Sequence, residues 1–189
     1  MRTSQSALVV MDFQEAIAAG CPAAPMALKK AVEAISLARA ATMPVLLCRV
    51  ALRAGGAGIG SGNAMFTAVA GSGAFAPGSP TAEFCAGIAS EDAIVVDKRR
   101  VSAFAGSDLD EVLCSLGVGT VVLAGLHTSG VVLSTLRAAA DKDLAAVVLS
   151  DACADPDPVV HDVLMEKVFP AQATVQDVDG WAAALGEGR

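Results

Sequence analysis

A three-layer, doubly wound α/β domain with a six-stranded parallel sheet is the fold class that this sequence predicts. Three observations carry the reading. Short β-branched runs alternate with longer stretches of helical periodicity. The runs are apolar at consecutive positions, as strands covered on both faces must be. No internal repeat divides the 189 residues, a length that suits one domain with a sizeable core. Right-handed crossovers between parallel strands then place helices on both sides of the sheet.

The elements follow in order. Ala7–Met11 is the first strand, closed by Asp12. Ala27–Ala41 spaces Leu28, Ala31, Val32, Ile35 and Ala38 as one face of a helix, and Pro44 opens the second strand, Val45–Val50. The stretch Arg53–Pro80 is rich in Gly, Ala and Ser and reads as a flexible loop at about 53–80 that could cover a pocket. Its glycines miss the G-x-G-x-x-G spacing and no Gly-Lys-Ser/Thr follows, so no phosphate-binding loop is expected there. Ala93–Val96 is the third strand, with a helix near Leu109–Leu116, and Thr120–Ala124 the fourth. A helix over Val131–Ala140 leads to the fifth strand, Ala145–Leu149, closed by Ser150-Asp151. Pro158–Val168 is a further helix and Ala173–Val175 a short last strand, all within a single domain spanning 1–189.

Composition excludes several classes. Apolar residues make up 54% and charged residues 17%, which is incompatible with a disordered chain. The formal charge is −7, and the longest basic run is Lys98-Arg99-Arg100, so a nucleic-acid partner is not expected. No run approaches the roughly 18 apolar residues of a membrane helix, and the N-terminus lacks the pattern of a secretory signal. Five scattered cysteines without a Cys-x-x-Cys argue against a disulfide framework or zinc site. These features describe a cytoplasmic protein without cofactor or metal.

In open α/β sheets, ligands bind beyond the carboxyl ends of the strands, where strand order reverses. That rule selects Asp12, Asp97, Lys98, His127, Thr128, Ser129 and Asp151. Each has a structural alternative: Asp12 as a helix cap, Lys98 in a solvated basic turn, Thr128 and Ser129 as N-caps, His127 as a bonded structural residue. Even as caps, Thr128 and Ser129 would aim backbone N–H groups at the crevice. Asp151, Asp155 and Asp157, set among Pro156 and Pro158, read as turn and cap chemistry.

At these residues the sequence resembles the isochorismatase-like, or cysteine hydrolase, superfamily over nearly its whole length. The first block is Ala7-Leu8-Val9-Val10-Met11-Asp12-Phe13-Gln14, similar to the family's first strand with its catalytic aspartate. The second is Lys98-Arg99-Arg100-Val101-Ser102-Ala103-Phe104, similar to its lysine segment. The third runs from Gly125 to Thr135 and resembles the nucleophile turn, with Asp151-Ala152 and His161 continuing the match. The resemblance implies strand order 3-2-1-4-5-6. It also implies Asp12 and Lys98 as catalytic residues, Phe13, His127, Ser129, Gly130 and Val131 around a small-molecule substrate, and a homo-oligomer, dimer or tetramer.

In the family pattern a cysteine stands six residues after the glycine, and counting from Gly125 gives Val131. A valine side chain has no lone pair and cannot attack a carbonyl. The Asp-x-His metal motif of nicotinamidases is also missing. The resemblance extends to isochorismatases that lack the cysteine, which implies vinyl-ether hydrolysis needing a proton donor and no nucleophilic side chain. Three readings stay open: a cysteine-independent hydrolase of a small anionic metabolite, a non-catalytic ligand-binding or regulatory relative, and a hydrolase using Ser129 or an activated water. On the first, Gly130 and Val131 are expected to offer free backbone N–H groups to the crevice.

Overall fold

Residues 5–89 and 92–187 are described in the computed structural model. Their strands form one sheet in the order β3-β2-β1-β4-β5-β6. β1 (Gln5–Met11) lies between β2 (Val45–Val50) and β4 (Val118–Leu126). β3 (Ile94–Lys98) forms one edge, and β5 (Ala145–Ala154) with β6 (Thr174–Gln176) completes the other side. Every pairing is parallel.

Side-chain alternation divides the core between two layers. Ala7, Val9 and Met11 of β1 face a cluster with Leu109 and Leu113 of α4 (Leu109–Ser115) and Leu136 and Ala139 of α5 (Leu133–Ala140). Leu8 and Val10 face the opposite cluster, under α2 (Ala24–Ala40) and α7 (Val178–Glu187), both packed on one side of the sheet. α2 presents Ala24, Ala27, Ala31, Ala34 and Ala38 to the sheet, a small-residue face that lets its backbone approach closely. Among the described residues no helix is long and apolar enough to cross a membrane.

Five features depart from the sequence reading, the closing helix α7 among them. A one-turn helix α1 (Glu15–Ala18) follows β1. The Gly-rich segment carries α3 (Ala64–Gly71), capped by Asn63, whose side chain accepts from Phe66 N, and encloses a satellite core of Val50, Leu52, Phe66, Phe75 and Ala82. β5 does not close at Ser150-Asp151 but runs to Ala154, with its register against β4 shifting between Leu123 and Gly125. Two helices have wide π-type turns at one end: Thr128–Val132 before α5, and Leu164–Val168 after α6 (Pro158–Val163).

Candidate active site

The register of the sheet sets the site. Met11 lies opposite both Cys48 of β2 and Gly125 of β4, while Lys98 of β3 lies opposite Val50 of β2. Asp12 and Lys98 therefore leave the sheet at the same end, separated by strand β2. Two strand spacings amount to about 10 Å, a gap that only a long side chain can close. Lys98 closes it: its Nζ lies 2.8 Å from Asp12 Oδ2.

Both members are buried, Lys98 to 1% exposure and Asp12 to 5%. Lys98 also donates to the carbonyls of Arg100 at 3.0 Å and Val101 at 3.1 Å, so all three ammonium protons have acceptors. Its charge acts on the site; its hydrogen bonds are already used. Asp12 holds a left-handed backbone at φ 61°, an unusual conformation for a residue other than glycine. It is pinned there by its own N–H, which donates to Cys48 O, and by its carbonyl, which accepts from Gln14 N. The second carboxyl oxygen, Oδ1, is buried with no partner among the described residues. Burial raises the Asp12 carboxyl from the usual 3.8 to about 6, against the opposing pull of Lys98's charge and hydrogen bond.

Gln14 was not singled out by the sequence, yet it holds this corner together. Fully buried, it donates Nε2 to Val50 O at 3.0 Å and to Ala82 O at 2.8 Å, and its Oε1 accepts from Val50 N at 2.8 Å. The end of β1 is thus tied to the end of β2 and to the far end of the Gly-rich segment. The signal available was a single polar residue two places after the strand-ending acid.

The remaining expected residues lie just after β1 and at the turn that follows β4. Phe13 is buried at 1% exposure and packs in the cluster beneath α2. His127 follows β4 through a cis peptide with Leu126, and its Nε2 is buried without a partner among the described residues. Thr128 Oγ1 lies 2.8 Å from His161 Nδ1, which brings the downstream histidine to the nucleophile turn. The N–H of Ser129 donates to Asp155 Oδ2 at 2.7 Å. Burial alone would raise the Asp155 carboxyl, but hydrogen bonds from Ser129 and Asp157 outweigh it and leave the group below its usual value. The expected free N–H at Gly130 is absent: it donates back to His127 O at 3.1 Å, because the wide turn folds on itself before the helix begins. Val131 is buried at 2% in the core cluster shared with Met11 and Cys48. Asp151 lies inside β5, where it accepts from Val178 N and sits 3.7 Å from Lys30, so it ties α7 and α2 instead of joining Asp12.

None of the buried cysteines Cys21, Cys48, Cys85 and Cys153 is activated by these surroundings. Cys48 lies beside the pair on β2, and burial pushes its thiol far up, with Asp12's charge adding to the effect. Burial likewise raises Cys153 to about 12, and it raises Cys21 and Cys85 as well. A thiolate nucleophile needs the opposite shift. A cavity of about 370 Å³ opens next to the turn, lined by Pro22, Ala23, Cys153 to Pro156, Pro158 and His161. Asp12 and Lys98 do not line it.

Comparison with known proteins agrees with this architecture. The isochorismatase domain model matches residues 6–180. The isochorismatase family protein YecD of Escherichia coli is 33% identical over 97 residues, which cover 51% of this chain and 52% of that protein. Ureidoacrylate amidohydrolase RutB of Methylobacterium radiotolerans is 34% identical over 94 residues, covering 49% of this chain and 36% of that protein. These matches thus span about half the length of the curated relatives, or less. A cysteine hydrolase from Pseudomonas syringae pv. phaseolicola superposes with TM-score 0.90 at 22% identity, covering 98% of this chain and 94% of that one, and shows the shared fold. N-carbamoylsarcosine amidase from Thermoplasma acidophilum superposes with TM-score 0.75 at 26% identity, covering 93% and 97%.

Proposed function

The chain belongs to the isochorismatase family, and we propose that it is a hydrolase of a small, anionic metabolite that works without a cysteine nucleophile. The observation that carries this reading is the buried Asp12–Lys98 pair, with one carboxyl oxygen unpartnered among the described residues and the acid's pKa near 6. A carboxyl group with a pKa in this range can hold a proton close to physiological pH and release it in a transition state.

Asp12 delivers that proton to the substrate, and the carboxylate left behind is stabilised by the Lys98 charge 2.8 Å away. Water supplies the hydroxyl, and its proton returns the carboxylate to the acid. Val131 forms an apolar wall, which favours the neutral form of a neighbouring carboxyl. Phe13, His127, Ser129 and Gly130 surround the substrate; of these, His127 carries an Nε2 unpartnered among the described residues. The raised pKa values of the four buried thiols support the absence of thiol chemistry.

The relatives' names define the substrates to screen: amides and N-carbamoyl compounds beside isochorismate-type vinyl ethers. With Asp12 as the acid, kcat/KM holds below pH 6 and falls about tenfold per pH unit above it. A profile that rises through pH 6 would assign Asp12 as a base. One observation favours a second reading, a ligand-binding relative without catalysis: Asp12 and Lys98 are almost completely enclosed. A metabolite that binds and raises the melting temperature, with no turnover of any screened class, would select that reading.

A further inference from the structure

A separate cavity of about 360 Å³ opens at the outer edge of the sheet, where the ends of β2 and β3 meet the Gly-rich segment. Arg49, Arg53 and Arg99 line it. The sequence has only eight arginines and a net charge of −7, so three guanidinium groups around one cavity are a marked local reversal of sign. Such a grouping is favourable only where something neutralises it.

The protein's own groups do so in part. Arg49 pairs with Asp97 at 2.8 Å and lies 5.5 Å over the Phe84 ring. Arg99 donates Nη1 to Gly106 O at 2.6 Å, but its Nε is enclosed and has no acceptor among the described residues. Arg53 is exposed, and its side chain has no ion pair or hydrogen bond among the described residues. Glu83 and Asp97 are the carboxylates lining the cavity, which leaves one positive charge in excess. Gly58 gathers still more charge at this corner. Its carbonyl accepts from Arg100 Nη2 at 2.7 Å, and a Cβ placed on it would lie 3.6 Å from Arg53 Nη1.

We propose that this cavity binds the oxyanion end, carboxylate or phosphate, of a small metabolite. Arg53 and Arg99 form the charged fork, and Phe75 and Pro77 supply an apolar floor. The guanidinium plane suits such groups because it presents parallel N–H donors to two oxygens. The site is distinct from the Asp12–Lys98 pair. Strand alternation along β3 turns Asp97 to the face opposite Lys98, and neither member of the pair lines this cavity.

Isothermal titration calorimetry of the full chain tests the proposal, using inorganic phosphate and, separately, succinate, at an ionic strength held constant with sodium chloride. At least one anion binds saturably at one site per chain, and the stronger of the two identifies the oxyanion. Arg53→Ala and Arg99→Gln each weaken binding tenfold or more, the loss expected for a charge-assisted contact. Lys29→Ala, an exposed charge on α2, leaves it unchanged. Circular dichroism checks that the variants fold, and the unpaired, exposed Arg53 is the position least able to disturb the fold. Saturable binding of neither anion overturns the proposal. So does binding that Arg53→Ala leaves intact, or that Lys29→Ala weakens equally.

Discussion

Replacing Lys98 with methionine removes the charge and keeps most of the stem's volume, and its effect on stability depends on pH in a way the site dictates. In the wild type, the folded pKa of Asp12, about 6, lies above the unfolded value of 3.8. Protonation therefore favours the folded state: the contribution is full below pH 4 and is lost as pH rises through 6. That distance corresponds to about 3 kcal/mol. Without Lys98, both influences that lower the Asp12 pKa disappear, so it climbs above 6 and more stability is lost at high pH. The carbonyls of Arg100 and Val101 also lose their donor at every pH. At pH 8 the variant should be less stable than wild type by about 3–5 kcal/mol, the cost of breaking a buried pair. At pH 5 most of the Asp12 part vanishes and about 1–3 kcal/mol remains from the carbonyls. Urea denaturation at both pH values measures this. An equal loss at pH 5 and pH 8, or a larger one at pH 5, would refute the electrostatic account of the pair.

Other consequences are as specific. Gln14→Leu leaves the main-chain groups of Val50 and Ala82 without partners, so it should cost about 2–5 kcal/mol in chemical denaturation. Gly125→Ala places a Cβ 3.0 Å from Met11 O and 3.2 Å from Val132 Cγ2. This overpacking should cost about 1–3 kcal/mol in thermal unfolding and lower turnover by displacing the β1 end that carries Asp12. The chain should sediment as a dimer or tetramer, with the exposed Val159 and Val163, one turn apart on α6, among the candidates for the contact; a monomer at micromolar concentration would contradict self-association.

The strands themselves and the residues that end them were legible because they depend on short-range pattern, whereas the strand order followed from the resemblance. Short apolar runs alternating with helical stretches point to parallel strands of a covered sheet, and the polar residue ending such a run faces the carboxyl edge. The features without a local signal depend on tertiary contacts. β5 continues past Asp151 because Val178 N and Lys30 supply partners for a carboxylate within a strand. α7 has no clear local signal although Asp177 caps it, accepting from Gly180 N at 2.7 Å, because Gly180 in its first turn reads as a loop. The π-type turn at Thr128–Val132 has no periodic signature, and for that reason the N–H of Gly130 was expected to be free.

The central claim, hydrolysis through Asp12 without a thiol, is tested most directly by the turnover of a variant with no cysteine. Cys21, Cys48, Cys85 and Cys153 become alanine and the exposed Cys114 becomes serine, with circular dichroism confirming the fold and Asp12→Asn measured beside it. On a substrate found in the screen, the cysteine-free protein should keep most of the wild-type kcat/KM, while Asp12→Asn should show none. A folded cysteine-free protein without activity would contradict the claim, as would iodoacetamide inactivation of the wild type traced to one modified cysteine beside Asp12.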